Sequence, residues 1–458
     1  MHPPAAPARG LRYARDVRRA SRPPEASSIA VPVGVGLFLL LLYWWTVAPS
    51  ISALHDNVDS AELVTVASVT GVAHPPGSAI WIPLGRAALE LLGFIEEPAL
   101  RTNLLSVVCM ALAGALIAVA ARRWMPGTPA WACALAGLLA GLAPIPWAQA
   151  LVTEVLALQA LLTALALVLA VDAARGRAWA PFALTLGLLA WNHPTGLAVA
   201  LPLGVACLAL ARPRARTLGV PFALFLLPGA YTVAYLVLRA DAPLAWGDTS
   251  TVRGIWDHLT GAIYRDVIDR NPSTVLQAVP ETLRRTLRQI PPLAWPLLPI
   301  GALAVGRSRP VLATSLGVSV VLLGLFVSAY RVTGRQDYLT TVAFAGALLV
   351  AWGLPPAVDW ARRLLPQPPP RFTTSAIAVG LLALWLVVNG DEVSRRGDTA
   401  LRDAAVATLA AAEPDAVIET DRDERTFPLW YARVVLGERP DVTVIDARGL
   451  APAVPPGP

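Results

Sequence analysis

The chain has 458 residues, of which 55% are hydrophobic and only 15% charged, and its mean hydropathy is +0.57. This composition excludes an ordinary soluble protein and indicates a polytopic membrane protein. All 37 basic side chains are Arg, mostly in short tracts beside apolar runs, which is typical of topology signals and argues against a nucleic-acid partner. The three Cys lie in apolar stretches without a CxxC pair, so neither a disulfide framework nor a thiolate metal site is predicted.

The pattern divides the chain into an Arg-rich tail at 1–28, a transmembrane domain at 29–389 and a distinct tail at 390–458. No small-residue cleavage site follows the first apolar run, so a retained first helix is predicted. A bilayer core of roughly 30 Å requires about 20 apolar residues per helix. About eleven spanning helices are predicted, the fifth and eighth being short: 29–50, 102–121, 130–148, 154–172, 179–191, 195–211, 218–238, 291–306, 310–329, 338–356 and 373–389.

The distribution of Arg predicts the orientation. The N-terminal Arg tail favours a cytoplasmic N-terminus, and every second loop should then carry Arg on the same side. The loops that fit are 122–123, 175–177, 212–216, 307–309 and 362–371. One tract conflicts with this orientation, because it lies on the predicted outer side and contains Arg284, Arg285 and Arg288. They indicate either an amphipathic surface for an anionic lipid phosphate or an error in a short span.

This orientation predicts a multi-pass protein of the plasma membrane whose chemistry faces outward. The long outer loops are 51–101 and 239–290, and four of the five His residues fall on this side. In the C-terminal tail, strand-like runs at 416–420 and 442–446 flank a helical run at 427–436. The predicted fold class is an all-α polytopic membrane protein with a small extracytoplasmic α/β unit.

The first outer loop concentrates acidic residues. Asp56, Asp59 and Glu62 lie within seven positions, and the last two share a face if the segment is helical. Carboxylates at a partly desolvated boundary can have their pKa values pushed apart, so that one serves as general base. The alternative is a solvated helix start in which Asp59 or Ser60 caps the helix and Glu62 completes a capping box. Spacing alone leaves both open.

A rigid turn follows at Gly71-Val72-Ala73-His74-Pro75-Pro76-Gly77. Pro restricts the backbone and Gly permits a tight reversal, so the turn holds His74 in place. An ordinary turn with an incidental His is the simpler account of this segment alone.

Other outward polar residues are candidates for substrate binding. Glu154 opens a predicted helix at the boundary, where an ionisable group is costly unless paired or functional. Aromatic rings beside carboxylate and guanidinium groups suit a sugar or a phosphate anion, although a packed loop or connecting turn can look the same. The candidates of this kind are Asn192, His193, Trp246, Asp248, His258, Tyr264, Arg265, Arg331, Arg335, Asp337 and Tyr338.

The sequence has no GxxxxGK[ST] loop, no strand-GxGxxG-helix unit and no HExxH spacing. A nucleotide donor therefore lacks its usual phosphate cradle, and no metal ligand set or bound cofactor is predicted. An activated substrate is more plausibly delivered from the membrane.

Several of these segments together resemble a known family. They are Asp59-Ser60-Ala61-Glu62-Leu63, the turn from Gly71 to Gly77, Gly85-Arg86, Arg101-Thr102-Asn103-Leu104-Leu105-Ser106, Thr153-Glu154-Val155-Leu156-Ala157-Leu158, Asn192-His193, Trp246-Gly247-Asp248, His258-Leu259-Thr260-Gly261, Tyr264-Arg265, Arg335-Gln336-Asp337-Tyr338 and Thr426-Phe427-Pro428-Leu429-Trp430-Tyr431 with Arg439-Pro440-Asp441-Val442. In this order they look like the signature of glycosyltransferase family 117, long known as domain of unknown function 2723. That family is similar to protein O-mannosyltransferases.

The resemblance implies a GT-C helical bundle with an extracytoplasmic active site and a polyprenyl-phosphate sugar donor, often of mannose. It implies Asp59 as the catalytic base and Glu62 as the second acid, with Asp56, His74 and Arg86 among the binding residues. Ala61 replaces the family's Gly, and the segment 421–425 is longer than the family's acidic turn, which puts an acceptor-binding role of the tail in doubt.

The expected reaction is an inverting transfer to a hydroxyl of a protein, glycan or lipid. A proton-coupled lipid or solute transporter is the alternative, and a non-catalytic scaffold that presents the tail is a third hypothesis. The transporter predicts ionisable residues deep in the helices, where this sequence has almost none.

Overall fold

The computed structural model describes residues 27–53, 55, 58–364, 371–449 and 452–454, without the side chains of 27, 28, 371–374 and 377. The Arg-rich N-terminal segment and Asp56 therefore lie outside the described residues.

Seven helical segments in the described ranges are long and apolar enough to cross a bilayer. They are Ile29–Thr46, Pro98–Trp124, Val155–Ala173, Pro194–Ala211, Gly219–Leu238, Pro310–Ala329 and Arg335–Leu364. An eighth span arises if Ala130–Leu142 and Pro144–Ala150 are counted together, although they meet at a bend of 66°. Pro144 explains the bend, because the residue before a proline avoids the helical region, and Ala143 is indeed extended with ψ 137°.

The predicted spans all coincide with helices, but not all are long enough to cross. The runs predicted at 179–191 and 291–306 form the helices Trp179–Asn192 and Leu297–Ser308, with only 14 and 12 residues. The last predicted run lies in the 23-residue helix Arg371–Val393, whose side chains are only partly described. Within the described residues, seven or eight of the predicted spans therefore meet the criteria of length and composition, because apolar content alone does not report where a helix ends.

The centre of the bundle is formed by Pro98–Trp124, Val155–Ala173 and Arg335–Leu364, most of whose apolar windows are buried. The first of these packs against the second and against the helix Ser27–Thr46. Small residues allow the close approach that holds helices together in a bilayer. A Cβ atom on Gly137, for example, would lie 2.6 Å from the carbonyl oxygen of Gly114.

Short elements occupy the predicted outer loops and the tail. The loop helices are Asp59–Val69, Ile82–Leu91, Val252–Leu259 and Pro272–Leu287, and the tail contains Ala400–Ala410, the strand Val417–Thr420, Asp423–Trp430, a π-helical turn at Tyr431–Val435 and the strand Thr443–Asp446. The two strands pair in parallel, with Val417 opposite Thr443. The fold class, a polytopic helical bundle with a small α/β unit, is confirmed.

The tail packs directly against the first outer loop. Its helix Asp423–Trp430 and the following π-helical turn contact the loop helix Asp59–Val69. The carboxylate of Glu97 accepts hydrogen bonds from the hydroxyls of Tyr431 and Ser50 and pairs with Arg402 at 3.3 Å. The division of the chain at residue 390 stays a prediction, but the tail is positioned by the loop that carries the acidic residues.

Candidate active site

The helix Asp59–Val69 places two acidic side chains in its first turn. Its N-cap is Val58, which makes no side-chain capping bond, and Ser60 donates instead to the carbonyl of Ser52 at 2.9 Å. Glu62 is fully buried. The capping-box alternative therefore does not account for these acids, because the carboxylate of Glu62 is bonded to His74.

His74 links the two carboxylates. Its backbone amide donates to Oε1 of Glu62 at 2.8 Å, and its ring Nδ1 is hydrogen-bonded to Oε2 of the same carboxylate. The other ring nitrogen, Nε2, lies 3.9 Å from Oδ2 of Asp59. The side chain of Asp59 keeps 29% of its surface exposed, so the row from buried to accessible runs Glu62, His74, Asp59.

The turn that holds His74 depends on Gly77. The amide of Gly77 donates to the carbonyl of His74 at 2.7 Å, and its φ of +88° favours glycine. A Cβ atom at this position would lie 2.6 Å from Nε2 of His258, a buried ring whose two nitrogens have no hydrogen-bond partner among the described residues. Burial and the charge of His74 lower the pKa of His258 to about 4, so this ring is neutral.

The electrostatics of the row favour a charged imidazole. Burial lowers the pKa of His74, but the charges of Glu62 and Asp59 and the hydrogen bond to Glu62 outweigh it and raise the pKa to about 10. Burial raises the pKa of Glu62, and the charge and hydrogen bond of His74 oppose that effect. The protonated His74 therefore offsets part of the cost of ionising the buried Glu62.

Aromatic rings enclose His74 on two sides. Trp246 and Tyr264 meet the imidazole edge-on, with centroid distances of 6.2 and 6.3 Å. Trp246 is in turn covered by Phe427 and Trp430 of the tail, at 6.1 and 6.4 Å. The tail therefore supports the wall of the site.

Polar side chains of one central helix bind backbone carbonyls of neighbouring segments. The Nδ2 of Asn103 donates to the carbonyls of Ala48 and Ser50, and its Oδ1 accepts from the hydroxyl of Thr153 at 2.7 Å. Arg101 donates to three carbonyls, of Leu89, Ile95 and Glu96. These residues of the Arg101–Ser106 segment are structural, since they use their donors on backbone carbonyls in the first outer loop or just before it.

A second polar group lies at the other side of the loop. The Nδ1 of His55 donates to Oδ1 of the buried Asp337 at 2.7 Å. Tyr338 stacks on His193 with a centroid distance of 5.1 Å. Burial, followed by the charge of His74, lowers the pKa of His193 to about 3, and its Nδ1 lies 2.9 Å from the hydroxyl of Thr195.

A basic pocket of about 460 Å³ adjoins His55. It is lined by His55, Arg285, Arg331, Val332, Thr333, Gly334, Arg335 and Gln336. Arg284 and Arg285 both pair with Glu281, at 2.7 Å, and Arg285 also donates to Gln336. Of the three arginines that conflicted with the predicted topology, Arg285 thus lines a basic pocket beside His55.

Glu154 and Asn192 lie near the acids but differ in their surroundings. Burial raises the pKa of Glu154 well above its ordinary value, and the negative charges of Asp59 and Asp337 add to the effect. Asn192 donates to the carbonyl of Val155 at 3.1 Å and joins two helices. Asn192 is therefore part of the scaffold, whereas Glu154 belongs to the electrostatic surroundings of Asp59.

Three predicted site residues use their polar groups elsewhere. Arg86 binds the carbonyl of Ser68 and pairs with Glu90, Asp248 accepts two bonds from Ser250 in its own turn, and Arg265 binds Thr260. Their side chains are exposed. The structure therefore does not bring Arg86, Asp248 or Arg265 into the row of acids and imidazoles.

Asp59, Glu62 and His74 offer ligand atoms within 4.8 Å of one another, so this group could hold a divalent cation. The Nδ1 of His74 is already engaged by Glu62, which leaves Nε2 and the carboxylate oxygens as donors.

Sequence reasoning did not select His55, Arg285 or the tail aromatics as site residues. His55 and Asp337 are far apart in the chain, so no spacing rule joins them. The only local signal for Arg285 was its conflict with the positive-inside rule.

Part of the chain matches a known family model. Residues 59–217 match the family model described as the protein O-mannosyl-transferase TMEM260 N-terminal domain. No curated protein sequence matches the chain.

Solved structures with the same fold include ArnT from Cupriavidus metallidurans bound to undecaprenyl phosphate, with a TM-score of 0.61 and 15% identity over 93% of this chain and 90% of that one. The apo state of the same enzyme gives a TM-score of 0.59 and 15% identity, covering 88% of this chain and 84% of that one. A further match is the archaeal oligosaccharyltransferase AglB from Archaeoglobus fulgidus, solved with an inhibitory peptide and a dolichol-phosphate. It gives a TM-score of 0.50 and 11% identity, covering 92% of this chain and 65% of that one. At such identities the likeness defines the fold.

The chain is a multi-pass membrane protein that shares the GT-C fold of these glycosyltransferases. The family match confirms the resemblance to a GT-C family of the protein O-mannosyltransferase type.

Proposed function

We propose that the protein transfers a sugar from a polyprenyl-phosphate donor to an acceptor hydroxyl with inversion, and that Asp59 is the general base. The observation that carries this proposal is the row Glu62, His74 and Asp59, which ends on an accessible carboxylate. Mannose is the proposed sugar, because the matched family model is that of an O-mannosyl-transferase.

Asp59 suits the role of base because its carboxylate is reachable. Its Oδ2 lies 3.9 Å from Nε2 of His74, while Glu62 is too deeply buried to meet an acceptor. The acceptor hydroxyl gives its proton to Asp59 and its oxygen attacks the anomeric carbon. The bond from that carbon to the donor phosphate breaks on the opposite face. A positioned carboxylate base supplies about 10²- to 10⁴-fold in rate.

The donor phosphate is proposed to lie in the basic pocket. Guanidinium groups bind phosphate oxygens through paired N–H donors, and Arg335 uses only Nη1 in a bond to the carbonyl of Tyr330. Negative charge that develops on the phosphate during bond cleavage is stabilised by such fixed donors. The solved structures with lipid phosphates support this kind of donor, since their fold is shared.

The proposed site faces the extracytoplasmic side of the plasma membrane, with the N-terminus in the cytoplasm. This assignment rests on the distribution of Arg between the loops. The described spanning helices carry ionisable side chains only near their ends, which favours a transferase over a proton-coupled transporter.

The test supplies purified protein with radiolabelled polyprenyl-phosphate mannose and a membrane extract as the source of acceptors. We expect label to move to protein, glycan or lipid, with no transfer from a nucleotide-linked mannose offered in parallel. Matched reactions with polyprenyl-phosphate glucose report the choice of sugar. Label that moves only from the nucleotide sugar, or from neither donor, contradicts the proposed function.

A further inference from the structure

The basic pocket contains one titratable group that the mechanism above does not use. His55 lines the pocket together with three arginines, Arg285, Arg331 and Arg335. Its side chain is 32% exposed, whereas its partner Asp337 is almost completely buried. The imidazole therefore forms the boundary between the pocket and a buried carboxylate.

The pairing with Asp337 fixes the orientation of the ring. Nδ1 donates to Oδ1 of Asp337 at 2.7 Å, so Nε2 is the ring nitrogen left for a ligand. A carboxylate behind Nδ1 also sets the tautomer and favours the doubly protonated ring. In that form, Nε2 carries a proton and can only donate a hydrogen bond.

Two arginines of the pocket are fixed by ion pairs or hydrogen bonds with other side chains. Arg285 is fixed by Glu281 and Gln336, and Arg331 by Asp269. Each guanidinium has five N–H donors, more than these contacts use. The pocket thus presents several oriented donors in a small volume, a set that matches the oxygens of a lipid phosphate, three of which are free once the sugar has left.

We propose that His55, oriented by Asp337, is an additional ligand of the donor phosphate and donates from Nε2 to the phosphate oxygen that receives the electron pair as the sugar departs. This inference rests on the proposed function. The glycosidic carbon–oxygen bond breaks, its electrons stay on the phosphate, the bond from the anomeric carbon to the acceptor oxygen forms, and the acceptor proton goes to Asp59. His55 keeps its own proton throughout.

The charged groups around His55 act in opposite directions. Burial lowers its pKa, but the hydrogen bond and charge of Asp337 raise it by more, against the repulsion of Arg395 and Arg285. The result is a pKa above the ordinary value of 6.5. The imidazolium is therefore present below the raised pKa and is lost as the pH increases through it, and a bound phosphate would strengthen the charged form.

The test measures binding of a short-chain polyprenyl monophosphate to the full-length protein in nanodiscs between pH 5.5 and 9. The variant is His55→Asn, which can still donate to Asp337 but carries no charge. The phosphate itself titrates near pH 6, and this effect cancels in the ratio of wild-type to variant affinity at each pH. Arg253→Gln is the control, because Arg253 is 92% exposed on a neighbouring loop helix.

We expect the wild-type protein to bind about tenfold more tightly than His55→Asn at low pH, the size of one charged hydrogen bond, with the ratio falling towards one as His55 loses its proton. A ratio near one throughout, or a constant ratio, would overturn the inference. Displacement of the probe by phosphatidylglycerol would assign the pocket to a lipid headgroup and overturn it as well. A pH-dependent ratio in a protein that transfers no sugar would keep the inference and remove the proposed function.

Discussion

Nε2 of His74 lies 3.9 Å from Oδ2 of Asp59, while Nδ1 of the same ring is bound to the buried carboxylate of Glu62. The imidazole of His74 therefore links the fully buried carboxylate of Glu62 to the accessible carboxylate of Asp59. In a low-dielectric setting such a pair is strongly coupled, because each charge lacks water to stabilise it.

The first prediction concerns the strength of that pair. Removal of one partner leaves the other charge buried without compensation, which costs about 3–5 kcal/mol in comparable buried pairs. We expect Glu62→Gln and His74→Gln each to lower the free energy of unfolding by about 3–5 kcal/mol. The double variant should lose clearly less than the sum.

Reversible unfolding in mixed micelles gives the four free energies of this cycle. The exposed pair Arg86 and Glu90 provides the control, since a surface pair contributes about 0–1 kcal/mol. Additive losses at Glu62 and His74 would show that the two side chains are not coupled.

The second prediction concerns alkaline pH. In the unfolded chain His74 has its ordinary pKa of 6.5, and in the folded protein about 10. The stabilisation from its charge is therefore complete below pH 6.5 and is lost as the pH rises through about 10. We expect the unfolding temperature to fall between pH 7 and pH 10.5.

The matched variant is Glu62→Gln combined with His74→Gln, in which this titration is absent. Thermal scans of both proteins over the same pH series isolate the contribution of the pair. An identical alkaline decline in the two proteins would assign the effect to other groups.

The third prediction concerns the tail. Trp430 is fully buried and packs on Trp246, which forms one wall around His74. Replacement of a buried Trp by Ala costs about 3–5 kcal/mol. We expect Trp430→Ala to lower both stability and kcat, because Trp246 loses its support.

Trp360→Ala is the control, since Trp360 is 65% exposed and should change stability by less than about 0.5 kcal/mol. Turnover measured at a temperature where both variants remain folded separates the effect on the site from simple unfolding. Unchanged kcat in folded Trp430→Ala would show that the tail does not shape the site.

The helical bundle was predictable because apolar length is a local property. Each predicted span coincides with a helix, and only the lengths of the short ones required the structure. The close spacing of Asp59 and Glu62 could likewise be read from a helical period, and the rigid turn singled out His74. Their mutual contact was not predictable, since it depends on where the turn folds back.

Other parts of the site come from distant segments. His55 meets Asp337, and Trp246 meets Trp430, through the folding of the whole outer surface. No periodicity or motif spacing encodes such pairs. Arg86 illustrates the reverse case, because a motif position that looked functional makes its contacts with Ser68 and Glu90.

The most direct test of the account is the rate of sugar transfer by Asp59→Asn in a single turnover from lipid-linked donor, with the unfolding temperature measured on the same preparation. Asn has nearly the same shape but accepts no proton at neutral pH, so we expect the rate to fall about 10²- to 10⁴-fold in a folded protein. Glu90→Gln, at an exposed position of the neighbouring loop helix, should keep the wild-type rate. A folded Asp59→Asn protein that transfers sugar at the wild-type rate would contradict the assignment of Asp59 as the base.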